Sequence, residues 1–286
     1  MQAAEGRLSR LGLMLRQAGF RHSVNNWLGV ALLLLMLVMA VAGVLMPDSA
    51  NAPDYGAIQQ PPSLAHPFGT DALGRDVMLR VIDGAPTSLL VGLVVALVSA
   101  VLGIAGGAAA GYFGKWVDVV ISRTTDYFLT IPPFFFVLVA VSILGASTLN
   151  SSLIIGIALS ASTARQVRAQ FLTLREREFV ASARLIGMST PAIIFTEILP
   201  NAVQPAIVQS ALNAAAAVLI HAGLGFLGLS DPNEAEWGAM ISENFARGLF
   251  GWWSIIAPGI AVTFLVVGLT ILGDQLNRYF DVARRY

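Results

Sequence analysis

Six apolar stretches, each near the length of a membrane-crossing helix, alternate with polar intervals along this chain. A crossing takes about 20 mostly apolar residues. The first stretch is Trp27–Met46 and the second Ser88–Phe113, both without a charge. The third is Tyr127–Gly145, and the fourth, Ser151–Ala164, is the least clean and continues as helix toward Phe171. The fifth is Ala202–Leu229 and the sixth Trp253–Gly273. The pattern predicts an all-α polytopic membrane protein with six transmembrane helices. In the second stretch Gly103, Gly107 and Gly111 fall four apart on one face. Small residues at that spacing let helices approach closely, which marks a helix–helix seam. Pro132 and Pro133 stand near the start of the third stretch and Pro258 near the start of the sixth. Each proline removes a backbone hydrogen bond, so the Pro132-Pro133 pair should kink or loosen its helix, either as a gate or as packing alone.

The polar intervals differ in character. Residues 1–26 form a basic lead, residues 47–87 a long loop, and residues 276–286 a short tail; between them lies a five-helix core, 88–275. The long loop opens rich in proline and glutamine and then turns amphipathic at DALGRDVMLRVIDG. A helix from Thr70 to Gly84 is predicted there, with Thr70 as cap and Leu73, Val77 and Val81 on one face. Asp71–Arg75 and Asp76–Arg80 are favourably ordered i,i+4 pairs. Such a helix either lies on the membrane surface or is a solvated loop helix. The interval Ser230–Trp252 carries Asp231, Glu234, Glu236 and Glu243 with Trp237, Phe245 and Trp252, followed by Trp253. Trp252 and Trp253 fit an interfacial aromatic belt, and the acidic group fits either a solvated surface or a docking surface.

The interval 165–200 is the one rich in both charges, with Arg165, Arg168, Arg175, Arg177 and Arg184 beside Glu176, Glu178 and Glu197. It reads as helix, corner, helix. Gly187 suits the left-handed position after a helix, Ser189 or Thr190 can cap the next one, and Pro191 fits its first turn. Lysine and arginine placement orients the whole chain: 14 fall in the lead, the 114–126 region, this interval and the tail, against 3 (Arg75, Arg80, Arg247) on the other side. Positive residues mark the cytoplasmic side, so both termini and the 165–200 loop are expected in the cytoplasm. The first apolar run begins only after the lead and is long enough to span, unlike a cleaved signal.

Composition narrows the chemistry. Of 286 residues 56% are apolar and 12% charged, about half the charged share of a soluble domain. The zero net charge gives no sign of a nucleic-acid partner. There is no cysteine, and His22, His66 and His221 are too far apart to suggest a zinc cluster, so no metal site or catalytic residue is assigned. The one lysine, Lys115, precedes Trp116 and not a hydroxyl residue, so it cannot belong to a phosphate-binding Walker loop. The spans hold almost no ionisable residue. The exception is His221, with Gln209 and Asn213 on preceding turns; these three are candidates for a pathway or for packing. With no carboxylate partner visible, His221 fits hydrogen-bonded packing or, alternatively, a proton relay. Spans without energy-coupling chemistry, joined to one elaborate charged loop, point to an ATPase supplied by another chain. A proton-driven secondary transporter and a non-transporting scaffold are the rival readings.

The loop also carries a resemblance. EFVASARLIG followed by EILPN resembles the loop shared by permeases of bacterial ABC importers, in which an EAA triplet, a glycine and a closing Leu-Pro recur. Ala181, Ser182 and Ala183 occupy the triplet, Gly187 the glycine, and Leu199-Pro200 the closing pair; Met188 follows the corner. Ala181 replaces the family glutamate and Glu197 the family isoleucine, leaving Glu178 and Arg184 as the neighbouring polar candidates. HPFGTDALGRDVMLRVIDGAPTSLLVGL, GFLGLSDPNEAEWGAM and LGDQLNRYFDV are similar to the C-type permeases of dipeptide, oligopeptide and nickel systems. The resemblance implies the type I ABC importer permease fold in the cytoplasmic membrane and peptide uptake by alternating access, with nickel chelates or glutathione-like peptides as alternative cargo. It implies a second homologous permease, two cytoplasmic ATPase subunits that use ATP and Mg, and an extracytoplasmic solute-binding protein as partners. It also implies a coupling helix over about Arg184–Ile194, and contacts to the binding protein from Arg75, Asp76, Arg80, Glu234, Glu236 and Trp237.

Overall fold

A computed structural model describes residues 24–45, 52–246 and 251–283. Most of the basic lead, with Arg7, Arg10, Arg16 and Arg21, lies outside the described residues, as do Arg247, Arg284 and Arg285. The described chain is helical, with one isolated bridge between Thr70 and Asp76. In order the helices are α1 (Val24–Val44), α2 (Val77–Phe113), α3 (Lys115–Thr130), α4 (Pro133–Leu144), α5 (Thr148–Leu174) and α6 (Glu178–Leu185). After them come α7 (Thr190–Ala192), a π-helical turn (Ile193–Ile198), α8 (Leu199–Ala202), α9 (Gln204–Phe226), α10 (Trp237–Phe245) and α11 (Trp253–Ala283).

Four helices, α1, α2, α9 and α11, are long and apolar enough to cross a membrane, and a fifth crossing arises if the bent pair α3–α4 is one span. Length and apolarity thus give at most five crossings among the described residues. The fourth predicted stretch is a continuous helix, α5, that is long enough but too polar to qualify. Several of its polar residues face inward, with Ser151, Ser152 and Thr163 all at or below 1% exposure. Ser151 and Ser152 donate to the carbonyls of Ser147 and Thr148, one turn back.

The α2–α5 seam forms where the glycine spacing predicts it. A Cβ on Gly103 would stand 2.5 Å from Thr163 Cβ, and one on Gly111 2.5 Å from Phe171 Cβ. Side chains at these positions would push the two helices apart. The proline pair in the third stretch produces a sharp break: α3 and α4 meet at 94°. α4 has 12 residues, or about 18 Å at 1.5 Å per residue, short of a hydrocarbon core of about 30 Å. α3 carries Lys115, Asp118, Arg123 and Asp126, so it is the polar limb of the pair.

The predicted loop helix from Thr70 to Gly84 is corrected. The helix begins at Val77, where Asp76 Oδ1 accepts the Leu79 amide at 3.0 Å, and runs without interruption into the second span. Residues 70–76 form a turn. Gly74 has φ +77°, and Asp71 Oδ1 accepts the Leu73 and Arg75 amides at 2.8 and 3.0 Å, which competes with helical bonding. Thr70 does not cap; its hydroxyl accepts the Gln60 amide and donates to the Ala57 carbonyl. Leu73 therefore shares no helical face with Val77 and Val81. α2 continues through Pro86, which leaves the Ile82 carbonyl without its helical donor. α1 approaches that carbonyl through Gly43, where a Cβ would stand 2.6 Å from the oxygen.

Three apolar clusters follow one another along the bundle. At one end Met36, Val81, Trp237 and Leu265 join α1, α2, α10 and α11. In the middle Val91, Val95, Val137, Ile155 and Ala217 join α2, α4, α5 and α9. At the other end Val167, Phe171, Val180, Ile193 and Ile198 seat the 165–200 segment on the end of α5. The last is called the loop end below, and the first the far end.

Candidate functional site

At the loop end, α6 stops in a paired hydrogen-bond motif. The Met188 amide donates to Ala183 O and the Gly187 amide to Arg184 O, both at 3.1 Å, with Gly187 at φ +82°. This two-bond closure with a left-handed residue is the Schellman arrangement, which glycine adopts without a Cβ penalty. The sequence expectation for Gly187 is met. Ser189 occupies the cap position of the next helix without a side-chain cap bond, and Pro191 lies in its first turn. The segment Arg184–Ile194 is not one helix: α6 ends at Leu185, the corner occupies residues 186–189, and α7 leads into the π-helical turn. The left-handed residue forces that division.

Burial sorts the loop residues. Val180 and Ala183 point into the loop-end cluster, whereas Glu178, Ala181, Ser182, Arg184 and Gly187 are exposed and Met188 and Leu199 half-buried; Pro200 is exposed. Of the triplet positions, Ala181 and Ser182 thus face outward and Ala183 inward. Glu178 opens α6 and Arg184 closes it, each opposite in sign to the dipole charge of the helix end beside it and so favourable there. The Arg184 guanidinium also sits 6.0 Å from the Tyr112 ring. Two apolar residues stand out at the corner, Leu185 at 88% and Ile186 at 79% exposure. Sequence reasoning passed over them, although an apolar pair ending a charged helix is a readable signal for a docking surface.

Three of the five arginines expected in this loop reach across to neighbouring helices. Arg168 grips Asp118 of α3 through both Nε and Nη2, the latter at 2.7 Å from Oδ2. Arg165 reaches Asp126 at 2.8 Å, and Arg175 Nη1 donates to Gly111 O at 2.8 Å. These three tie α3 and the end of α2 to the start of the loop. A cavity of about 260 Å³ lies beside Arg165 and Arg168, lined also by Gly107, Thr125 and Asp126 among others.

Just inside the bundle a chain of amides links the two helices that flank the loop. Gln166 Nε2 donates to Gln209 Oε1 at 2.6 Å, and Gln209 Nε2 to Asn213 Oδ1 at 2.9 Å. Asn213 Nδ2 donates to Leu159 O and Thr163 Oγ1, both at 3.2 Å. Gln209 and Asn213 therefore bridge α5 and α9, and the loop hangs from two helices that are stapled together.

The far end holds the remaining predicted residues. Asp71 Oδ2 accepts Arg75 Nε at 2.7 Å and Arg80 Nη1 at 2.9 Å, while Glu243 Oε2 accepts Arg75 Nη2 at 2.7 Å and Arg80 Nη1 at 3.2 Å. The expected Asp71–Arg75 pair is present, held by a turn and not by a helix. The expected Asp76–Arg80 pair is absent, because Asp76 caps α2 and its Oδ2 lies 2.9 Å from His66 Nδ1. Arg80 is buried and turned toward Asp71. Glu234 is exposed and accepts a hydrogen bond from Thr148 at 2.7 Å.

Two residues expected on the outer surface face inward instead. Trp237 is 1% exposed and its indole N–H donates to Val81 O at 2.9 Å. Glu236 is 4% exposed, with Oε1 2.9 Å from His221 Nδ1. The reading of His221 as lacking a carboxylate partner is thereby corrected. Its partner comes from a polar interval 15 positions on, which no spacing rule connects to it. Among the described residues no three His, Asp or Glu side chains gather where they could hold a metal ion.

Residues 103–286 match the family described as binding-protein-dependent transport system inner membrane component. The dipeptide transport system permease protein DppC of Alkalihalophilus pseudofirmus is 36% identical over 267 residues, 92% of this chain and 88% of the relative. The probable D,D-dipeptide transport system permease protein DdpC of Escherichia coli K12 is 36% identical, covering 88% of this chain and 85% of its own. A putative peptide transport system permease protein of Brucella suis is 38% identical over 87% of this chain and 86% of its own. A helical bundle whose charged loop turns at a glycine corner, matched to these permeases along most of its length, belongs to the family of inner-membrane components of binding-protein-dependent transport systems.

Proposed function

We propose that this chain is one of two homologous permeases of an ATP-driven importer that moves dipeptides or oligopeptides inward across the cytoplasmic membrane. The observation that carries the reading is the corner at Gly187, which presents Leu185 and Ile186 to a partner while Val180 and Ala183 anchor the same helix inside the bundle. An exposed apolar pair on a rigidly seated helix is a lever end: it can be pushed, and the push reaches the spans through α5 and α9. The names of the relatives supply the cargo class.

In this reading the loop end is cytoplasmic, as the arginine distribution favours, and both termini lie on that side. Two ATPase subunits, with their own ATP and Mg, bind at the loop end, and a solute-binding protein docks at the far end. α5 is the sixth crossing. Its low apolarity reflects serines and a threonine turned into the bundle and bonded there, not exposure to lipid. Gln209 and Asn213 serve as the staple that makes α5, the loop and α9 one lever. Closure of the ATPases then switches the bundle between two states through differential contacts.

The test is purification of the tagged chain from its native membrane. A nucleotide-hydrolysing subunit should co-purify, and the reconstituted assembly should take up labelled dialanine only with ATP. Uptake driven by a proton gradient in vesicles lacking any ATPase subunit would overturn the reading, and failure of dialanine alone, with a nickel chelate or glutathione transported, would replace the cargo.

A further inference from the structure

Resting on the importer reading, we propose that His221 and Glu236 form a latch, positioning residues that hold residues 236–245, the outer cap, against α9 and part when the permease opens outward. The run Glu236-Trp237-Gly238 is sunk into the bundle at the far end. Trp237 bonds to α2 through Val81 O, and Gly238 lies so close to α9 that a Cβ would stand 2.0 Å from Ala222 O. Glu236 meets α9 at His221, and the space for its carboxylate exists because residue 225 is glycine: a Cβ there would stand 2.4 Å from Oε1. Both side chains are already buried within a single chain, His221 and Glu236 each at 4% exposure.

The chemistry of the pair is poor for a permanent joint. His221 Nδ1 is at contact distance, yet among the described residues neither Glu236 oxygen receives an aligned hydrogen bond. Ser88, which lines the same small cavity, spends its hydroxyl on Gly84 O. That cavity, about 10 Å³, is at the lower limit for one water. A buried carboxylate served this sparsely costs free energy, and apolar residues of similar volume usually hold such a place as well or better. The closed arrangement therefore combines favourable burial of Trp237 with an unfavourable carboxylate that the protein serves sparsely. Separation of the cap from α9 reverses both at once, admitting water to Glu236 while exposing Trp237. Two opposed terms released by one motion keep the closed and open arrangements close in free energy, so that a modest differential contact can switch them. Since α9 is also stapled to α5 beside the ATPase loop, motion of the lever arrives at this latch through one continuous helix.

The chain has no cysteine, so Ser88→Cys gives a unique reporter inside the latch cavity. The assembled transporter carrying S88C is reconstituted in vesicles, and its labelling by a membrane-impermeant maleimide is timed without nucleotide and after trapping with ATP and vanadate. Trapping should speed labelling by about fivefold or more, the scale of a typical conformational coupling. Adding His221→Leu and Glu236→Leu should abolish that acceleration while subunits still co-purify; Glu236→Gln, which keeps the volume, should blunt it. Equal labelling in both states of the S88C assembly overturns the latch, as does full acceleration in the leucine pair. Loss of assembly in both the leucine pair and E236Q also overturns it, because the pair is then a folding element. An assembly of the unsubstituted chain that hydrolyses no ATP sinks the importer reading instead, so the two failures are distinct.

Discussion

Gly107 and Ala164 bring α2 and α5 so close that a methyl group has no room between them: a Cβ on Gly107 would stand 2.5 Å from the Ala164 carbonyl oxygen. A backbone oxygen cannot rotate away as a side chain can. Gly107→Ala should therefore force the helices apart and destabilise the protein by about 1–3 kcal/mol. Gly106 is the control on the adjacent face, where the nearest atom to an added Cβ, Ile121 Cγ2, is 3.8 Å away. Thermal unfolding in detergent should separate the two, with G107A melting lower and G106A within about 0.5 kcal/mol of the parent.

The corner at Gly187 calls for a different expectation. Nothing lies within 4 Å of a Cβ built there, so substitution meets no obstacle, and its cost is that of φ +82° for an L-residue. Gly187→Ala should cost about 1–2 kcal/mol locally, Gly187→Asn less, and Gly187→Val more. The loss should appear as ATP-dependent uptake falling in the order Asn, Ala, Val, with membrane insertion unchanged. Equal uptake in all three would show that the corner angle does not matter to coupling.

Trp237 and Gly84 are paired by size. A Cβ on Gly84 would stand 2.8 Å from Trp237 Cδ1 and Nε1. Trp237→Phe removes the bond to Val81 O and should cost about 1 kcal/mol, while Trp237→Ala should cost about 3–5 kcal/mol. Gly84→Ala should be harmful alone but nearly neutral in the W237A background. Melting curves for the double-mutant cycle should give a coupling of about 0.5–3 kcal/mol; strict additivity would mean that the two residues do not meet.

What could be read from the chain follows how local each cause is. The α2–α5 seam and the Gly187 corner were legible because spacing and a single residue type decide them. The fourth stretch was legible as helix but ambiguous as a crossing, since hydropathy cannot tell an inward serine such as Ser152 from an outward one. The loop before α2 was misread because i,i+4 spacing of Asp71–Arg75 and Asp76–Arg80 imitates a helix. A left-handed Gly74 and the Asp71 carboxylate, which bonds two nearby amides, favour a turn. Glu236 and Trp237 sat in an acidic, aromatic interval and read as surface. Only the fold brings them under α9 and α2, and with them the partner of His221.

The Asp71, Arg75, Arg80 and Glu243 cluster yields an ordered prediction. Asp71 is 1% exposed, accepts both arginines through Oδ2 and bonds two amides through Oδ1. Asp71→Ala removes all of these and leaves Arg80, 9% exposed at its side chain, facing Glu243 and Arg75 alone. Stranding a buried charge is expensive, so the loss should be about 3–5 kcal/mol. Arg80→Ala leaves Asp71 with Arg75 and should cost less. Glu243→Ala should cost least, about 1 kcal/mol or below, because the Glu243 side chain is 42% exposed and its pairs are partly screened by water. Asp71→Asn keeps Oδ1 as an acceptor for the two amides and should fall between the first two variants. Thermal unfolding of the four variants in detergent should reproduce that order, and raising the salt concentration should weaken the Glu243 contribution before it touches that of Asp71. A Glu243 variant as damaging as the Asp71 variant would place the anchor of the far-end loop on α10 instead of on its own turn.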